Sequence, residues 1–173
     1  MIHNKTMILR KAHINQLPVI WEIIQQAIEQ RRQEGSAQWQ NGYPNENTII
    51  NDIEKGYGYI FLIDEVVVAY AAIIFDIEPA YEVIEGKWLT NDGDYVNIHR
   101  IAVSASAKGK GVATRLLTLI EQLAADNKIY SIKIDTNFDN EPMLKILNKL
   151  GYTYCGEVLY QGASRRAYEK VLI

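Results

Sequence analysis

Residues 95–114 read YVNIHRIAVSASAKGKGVAT, and this stretch decides the fold. Its first part, residues 95–103, is rich in apolar and β-branched side chains and predicts a strand. Gly109 and Gly111 follow, and after them apolar residues recur at helical spacing. That stripe consists of Val112, Leu116, Leu119, Ile120 and Leu123. The local order is therefore strand, glycine loop and helix.

The glycine loop has the properties of an anion-binding site. Because glycine lacks a Cβ, a loop with Gly109 and Gly111 can turn sharply and expose several backbone N–H groups. The first N–H groups of the following helix have no acceptor inside the helix, and the helix dipole adds positive character there. A pyrophosphate would be well placed at this loop, beside Lys108 and Lys110. Two glycines are equally typical of a plain loop before a helix.

Two other phosphate-binding loops are excluded by spacing. A nucleotide P-loop needs four residues between its glycines, whereas Lys110 alone separates Gly109 from Gly111. A dinucleotide fingerprint needs a third small residue three positions after Gly111, where Thr114 stands. The loop also follows several strands instead of opening a repeating parallel unit.

The remaining sequence predicts strands and helices without internal repeats or linkers. We expect one mixed α/β domain over residues 1–173. Helix-starting signals are Asn15 as N-cap with Pro18 in the first turn, and Gly35 ends that helix. The predicted elements are a strand at 7–11, helices at 46–55 and 140–150, a hairpin over 57–74, and strands at 129–136, 152–158 and 166–172, with irregular segments at 35–45 and 76–94.

Composition and charge indicate an ordinary globular protein. Hydrophobic residues make up 48% of the chain and the formal net charge is −3, which argues against a nucleic-acid binder. Cys155 is the only cysteine, so no intrachain disulfide can form, as is typical of a reducing compartment. The sequence contains neither an apolar signal region nor a membrane-spanning stretch. We therefore expect a cytoplasmic protein without a nucleic-acid or membrane partner.

The segments HRIAV at 99–103 and KGKGVA at 108–113 resemble the central strand and pyrophosphate loop of the GNAT superfamily of N-acetyltransferases. The family loop is usually written Arg/Gln-x-x-Gly-x-Gly/Ala, and Lys108 stands at its first position. Asn140 through Gly151-Tyr152 resembles the second family signature, an Asn, a helix, a Gly and an aromatic residue. The resemblance implies a GNAT fold: a mostly antiparallel twisted sheet, a splayed pair of parallel strands at the acetyl-CoA site, and helices on both faces.

The resemblance also implies acetyl-CoA as the cofactor and assigns residues to it. Ile101, Ala102 and Val103 match the strand whose backbone pairs with the pantetheine amides, and Asn140 matches a residue near the cofactor sulfur. The residues that match the pyrophosphate cradle are Lys108, Gly109, Lys110, Gly111, Val112, Ala113 and Thr114. From the residues alone, Ile101 and Val103 are equally typical of a core strand, and Asn140 of a helix N-cap.

Acetyl transfer to an amine requires a proton acceptor and a donor to the developing oxyanion. His99 is the candidate base, because it lies on the predicted thioester strand and resembles a strand histidine of the arylalkylamine branch of the family. The alternative is a packed structural histidine. The backbone N–H of Val103 is the candidate oxyanion donor. Leu147 occupies the position of a tyrosine general acid in many relatives, so Tyr152, Tyr154 or water would substitute, or the thiolate leaves unaided.

The acceptor is expected to be a primary amine of a small molecule or peptide. Residues 76–94 carry six acidic side chains, which either attract a cationic amine or form a solvated loop. Aromatic residues of the irregular segments either flank the acceptor groove or seal the core. They are Trp39, Tyr43, Tyr81 and Trp88.

Other functions and an assembly also follow from these patterns. Because Leu147 replaces the tyrosine acid, a second hypothesis is a catalytically weak GNAT-fold acyl-CoA-binding sensor. A third hypothesis, based on the two glycines, is a nucleotide-binding regulatory domain, which the loop spacing disfavours. We expect a homodimer by family analogy, with the C-terminal strand at a sheet edge.

Overall fold

An eight-stranded, mostly antiparallel sheet runs through residues 5–173, the part of the chain that this computed structural model describes. The strands are β1 (Met7–Lys11), β2 (Gly58–Ile63), β3 (Val66–Ile74), β4 (Glu85–Gly86), β5 (Val96–Val103), β6 (Ser131–Thr136), β7 (Thr153–Tyr160) and β8 (Ala163–Val171). The helices are α1 (Leu17–Gln33), α2 (Glu46–Glu54), α3 (Val112–Asp126) and α4 (Glu141–Lys149). The strand order is β1-β2-β3-β5-β6-β8-β7-β4. The predicted mixed α/β fold is confirmed.

The sheet opens between β5 and β6. Among the described residues these are the only parallel neighbours, and they pair only from Val96 opposite Ile132 to Ile98 opposite Ile134. Beyond Ile98 the two strands continue without pairing to each other. The last residues of β5 therefore face an opening in the sheet. This is the splayed parallel pair that the family resemblance implies.

A bulge at Arg100 divides β5 into two halves. His99 pairs with Ala72 and Ala102 with Tyr70, so β5 has one residue more than β3 between these pairs. Arg100 has φ +56°, a backbone conformation that costs a non-glycine residue on the order of 1–3 kcal/mol. The surrounding structure must compensate for this strain.

The compensation is a buried ion pair between Arg100 and Asp52 of α2. Arg100 donates to the two carboxylate oxygens at 2.6 and 2.7 Å, and Tyr70 donates to Asp52 Oδ2 at 2.7 Å. Arg100 Nη1 also donates to the hydroxyls of Tyr43 at 2.7 Å and Tyr160 at 3.1 Å. Because the carboxylate is 1% exposed, the pair is shielded from solvent and ties α2 to the bulge.

Apolar clusters on both faces of the sheet confirm helices on both sides. On one face, α3 and α4 pack with β5 and β6, and the fully buried residues of this cluster include Leu116, Leu117, Ile120, Ile132 and Leu147. On the other face, α1 and α2 pack against β2 and β3, with Ile20, Ile24, Ile49, Ile60 and Tyr70 fully buried.

The segment 76–94 covers a third apolar cluster over β7 and β8. Tyr81 and Trp88 are buried there, so these two aromatics seal the core. Glu169 of β8 is fully buried and accepts backbone hydrogen bonds from Leu89 at 2.9 Å and Thr90 at 3.2 Å. The segment is thus fixed to the sheet along much of its length.

The predicted N-cap of α1 is wrong. Ile14–Gln16 form a separate 3₁₀ turn, and His13 caps it by accepting the backbone N–H of Asn15 at 3.3 Å. Helix α1 begins at Leu17 with Pro18 in its first turn and has no side-chain cap from Gln16. The chain therefore enters the helix one short turn later than the capping pattern indicates.

The expected position of the C-terminal strand is also wrong. β8 pairs with β6 on one side and with β7 on the other, because the β7–β8 hairpin folds back and inserts its second strand next to β6. The homodimer therefore loses its edge-strand premise and stays a prediction, as does the single domain. Within residues 5–173, no helix has the length and apolar character needed to cross a membrane.

The ion pair predicts a large stability effect. Asp52→Ala should lower the free energy of unfolding by about 3 to 5 kcal/mol, because it leaves the buried Arg100 without a countercharge. Urea unfolding followed by circular dichroism measures this. Glu54→Ala, an exposed residue on the same helix, is the matched control and should change stability little. Equal stability of the two variants would contradict the role given to the pair.

Candidate active site

Two adjoining cavities occupy the opening between β5 and β6. The outer groove has a volume of about 460 Å³, and the inner cavity has a volume of about 30 Å³. Arg31, Ile101, Asn140 and Met143 line both. A ligand in the outer groove would therefore end next to the inner cavity.

The outer groove is built from the end of β5, the glycine loop, the first turn of α3, and residues of α1 and α4. Lys110 is the one predicted cofactor residue that does not line it. Those that do are Ile101, Ala102, Val103, Lys108, Gly109, Gly111, Val112, Ala113, Thr114 and Asn140.

The glycine loop has the backbone geometry of an anion cradle. Gly109 and Gly111 have φ +79° and +71°, and a Cβ at either would meet no atom within 4 Å. Arg115 makes the first backbone bond of the helix, to Gly111 O at 3.1 Å, so the preceding N–H groups lack a helical acceptor. Lys108 forms an ion pair with Glu34 at 3.2 Å. This open, N–H-rich loop fits the pyrophosphate of a coenzyme A thioester.

The backbone of β5 also presents polar groups to the opening. Ser104 N–H donates to Val68 O of β3 at 2.8 Å, and backbone groups alternate sides along a strand. The N–H of Val103 therefore points away from β3, toward the opening. Ile101 O is on the same side, where it accepts a hydrogen bond from Arg31 Nη2 at 3.3 Å.

Asn140 acts as the N-cap of α4. Its Oδ1 accepts the backbone N–H of Met143 at 3.4 Å, and its Nδ2 donates to Gln38 Oε1 at 2.9 Å. Leu147 is fully buried in the core and lines neither cavity. Tyr152 and Tyr154 do not line them either, so neither is placed to act as a substitute acid.

His99 lines the inner cavity with one ring nitrogen occupied by Asn97. The Asn97 Nδ2 group donates to two backbone carbonyls, at 2.9 and 3.2 Å, which turns its Oδ1 toward the ring. That oxygen is 2.9 Å from His99 Nε2, so Nε2 is the donor. In the neutral imidazole, Nδ1 therefore keeps a free lone pair. It lies on the side of Asp135, whose Oδ2 is 3.7 Å away.

Two carboxylates flank the His99 ring. Glu78 Oε2 is 3.4 Å from Nε2, and Asp135 Oδ2 accepts a hydrogen bond from Tyr81 at 2.6 Å. Burial raises the pKa of Glu78, but hydrogen bonds from His99 and the Ala80 N–H, with nearby positive charge, outweigh this and lower it. Carboxylates thus lie on both sides of the His99 ring.

Loop 35–45 closes the inner cavity from the α1 side. Trp39 and Tyr43 line that cavity, and they also belong to the apolar cluster of α1 and α2, so both readings of these aromatics remain open. Asp139 holds the loop by accepting Ser36 Oγ at 2.6 Å and the Ala37 N–H at 2.9 Å. The loop is therefore tied to the segment between β6 and α4.

The inner cavity also contains residues that were not predicted, and four of these lie outside β5 and have charged or aromatic side chains. One sequence signal existed: Asp135 alternates with the buried Ile132 and Ile134 in a predicted strand. Tyr160 stacks on the His99 ring with centroids 4.6 Å apart. The four are Arg31 of α1, Asp135 of β6, Tyr160 of β7 and Arg165 of β8.

Comparisons with known proteins agree with this geometry. The family model "Acetyltransferase (GNAT) family" matches residues 21–152. A GNAT-family acetyltransferase structure from Streptococcus agalactiae is 40% identical, with a TM-score of 0.86, and covers 95% of both chains. The uncharacterized N-acetyltransferase YesJ of Bacillus subtilis is 27% identical over 129 residues, 72% of this chain and 69% of YesJ.

A putative acetyltransferase from Salmonella typhimurium, solved with acetyl-CoA, shares the fold at 19% identity and a TM-score of 0.64, covering 96% of this chain and 94% of that one. Its ligand is the cofactor for which the outer groove and glycine loop are suited. The strand, the loop and the matches together show that this chain belongs to the GNAT acetyltransferase family.

Proposed function

We propose that this chain transfers the acetyl group of acetyl-CoA to a primary amine of a small molecule or peptide. The observation that carries the proposal is the position of His99. Its free Nδ1 lies in a small, carboxylate-flanked cavity that adjoins the cofactor groove. A proton acceptor thus lies next to the end of the groove, where an amine would react.

The chain's own residues would hold the cofactor in two ways. Backbone N–H groups of residues 109–114 would bind the pyrophosphate, and the backbone of residues 101–103 would pair with the pantetheine arm. When bound, acetyl-CoA supplies an acetyl group activated as a thioester. The proposed cofactor residues include Lys110, although its side chain does not line the groove.

His99 would remove the proton that prevents the amine from reacting. A primary amine enters as an ammonium ion and must lose a proton before its nitrogen is nucleophilic. His99 Nδ1 accepts this proton, and Asp135 and Glu78 stabilise the resulting positive charge. In the balanced reaction the nitrogen gains the acetyl carbon and loses two protons, one of which ends on the cofactor sulfur and one in solvent.

The backbone N–H of Val103 would stabilise the carbonyl oxygen as it gains negative charge. It points into the opening and belongs to a strand, so it needs little reorganisation. A thiol has a low enough pKa to leave as a thiolate, and departure then needs no tyrosine acid. Departure of the thiolate without an acid would therefore allow turnover even with Leu147 in the core.

The alternative is a catalytically weak acyl-CoA-binding sensor. The burial of Leu147 favours it, because no tyrosine from that position of α4 reaches the site. Two carboxylates around a buried histidine are more typical of a site that moves protons. Amine-dependent release of coenzyme A distinguishes the enzyme from the sensor.

The glycine loop predicts how the cofactor is recognised. Gly111→Val should weaken acetyl-CoA binding about tenfold or more, because a side chain strains the left-handed backbone and fills the cradle. Binding of S-acetylpantetheine, which lacks the pyrophosphate, should not change. Isothermal titration calorimetry measures both. Gly162→Val is the control, since Gly162 has φ +75° and similarly open surroundings. Equal losses for both ligands would contradict the loop assignment.

The role proposed for His99 predicts that its substitution lowers the catalytic rate without weakening cofactor binding. His99→Gln should lower kcat/KM by about 10² to 10⁴ and leave acetyl-CoA affinity nearly unchanged. The loss should shrink at high pH, where more of the amine is already deprotonated. Steady-state kinetics across pH test this, with His13→Gln, an exposed histidine, as the control. A His99 variant with wild-type stability and a wild-type rate at neutral pH would exclude the residue from the mechanism.

A further inference from the structure

Arg165 is a buried cation of the inner cavity, with an exposed fraction of 8%. Within residues 5–173, its Nε has no hydrogen-bond partner. The carboxylate that it approaches, Asp135, has Oδ1 4.0 Å from Nη1, which is beyond hydrogen-bond distance. Because buried polar groups are nearly always paired, we expect a ligand to supply the partner that Arg165 Nε lacks among residues 5–173.

Arg31 is a second cation of the same cavity. It donates to the carbonyls of Ala27 and Ile101, and its guanidinium carbon lies 3.8 Å above the Trp39 ring. Its Nε is also buried without a partner, and it forms no ion pair within residues 5–173. Burial lowers the pKa of Arg31 to about 10; the negative charge of Glu34 opposes this, and the positive charge of Arg165 adds to it. The two arginines are thus close enough to repel each other.

A third arginine of this cavity, Arg100, has a countercharge within the chain. Its charge is matched by Asp52 with two hydrogen bonds. Within residues 5–173, neither Arg31 nor Arg165 donates a hydrogen bond to a carboxylate, and Asp135 approaches Arg165 only to 4.0 Å. A guanidinium with free N–H groups fits a carboxylate or a similar oxyanion. The inner cavity therefore contains positive charge that an anionic ligand would complete.

Asp135 lies between the Arg165 guanidinium and His99, the proposed base. Its Oδ2 is 3.7 Å from His99 Nδ1, while its Oδ1 is 4.0 Å from Arg165 Nη1. An amine at His99 and an anion at Arg165 would thus be separated by roughly the width of one carboxylate. In an α-amino acid a single carbon joins the two groups.

We propose that the acceptor is an α-amino acid, whose carboxylate binds Arg165 and Arg31 and whose α-amine is acetylated at His99. This inference rests on the proposed function. A polycationic acceptor such as an aminoglycoside or polyamine would be repelled by the two arginines. The N-terminus of a peptide lacks the neighbouring carboxylate. Both become outcomes of the test.

Matched acceptor pairs test the proposal. Coenzyme A release is measured with each standard L-α-amino acid and with its amide, which keeps the amine and loses the negative charge. At least one amino acid should exceed its amide in kcat/KM by about 10² or more, because the amide leaves the buried arginines unpaired. Arg165→Gln should remove this preference mainly through KM, and Arg165→Lys should restore part of it.

Arg166→Gln is the matched control. Arg166 is the next residue of β8 and is exposed, so its loss should leave the preference unchanged. Arg165 does not line the outer groove, and coenzyme A affinity of Arg165→Gln should therefore equal that of the wild type. This measurement separates a lost acceptor site from a misfolded variant.

A binding measurement covers the case without turnover. In the coenzyme A-loaded protein, an amino acid that binds should raise the melting temperature more than its amide, and Arg165→Gln should abolish the difference. That result without any acetylation would support the acceptor site and reject transfer.

Two results overturn the inference. Faster acetylation of amides, polyamines, aminoglycosides or peptides than of every amino acid would reject it while leaving amine acetylation intact. No acetylation of any amine, together with no difference between amino acids and amides in melting temperature, would reject both the inference and the proposed function.

Discussion

The active-site region depends on the buried ion pair between Asp52 and Arg100. It holds a left-handed residue inside β5, and that bulge changes which way the strand presents its groups. Before the bulge, His99 points into the inner cavity. After it, the backbone of residues 101–103 borders the outer groove. One strand thereby borders both the inner cavity and the outer groove, and the divergence of β6 provides the space for both.

The inner cavity is lined by charged side chains that are themselves largely buried, among them Arg100, Asp135 and Arg165. Its lining comes from α1, loop 35–45, β5, β6, the start of α4, β7 and β8, and Glu78 of segment 76–94 lies next to His99. Charges in such surroundings interact more strongly than in water, so their fixed positions favour an amine near the carboxylates and an anion near the arginines. The buried aromatic residues around His99 and the loop held by Asp139 keep this arrangement in place.

Local patterns predicted the fold from β5 onward. The strand, the glycine loop and the apolar stripe of α3 are contiguous in sequence, and their geometry follows from adjacent residues. The position of β8 could not be predicted in this way, because strand order depends on pairing between strands that are far apart in sequence. The inner cavity was only partly predicted: His99 lies on the recognised strand, whereas Arg31 and Arg165 are brought together by tertiary packing. The prediction of Asn15 as the N-cap is wrong because His13 caps a separate 3₁₀ turn that includes Asn15.

The most direct test of the central claim is to follow an isotope-labelled acetyl group. The protein is incubated with labelled acetyl-CoA and representatives of each amine class, and amide products and free thiol are quantified together by mass spectrometry and thiol titration. An acetyltransferase should form a labelled amide in equal amount to the released thiol, and only in the presence of an amine. Tight binding of acetyl-CoA without labelled amide from any amine class would contradict it.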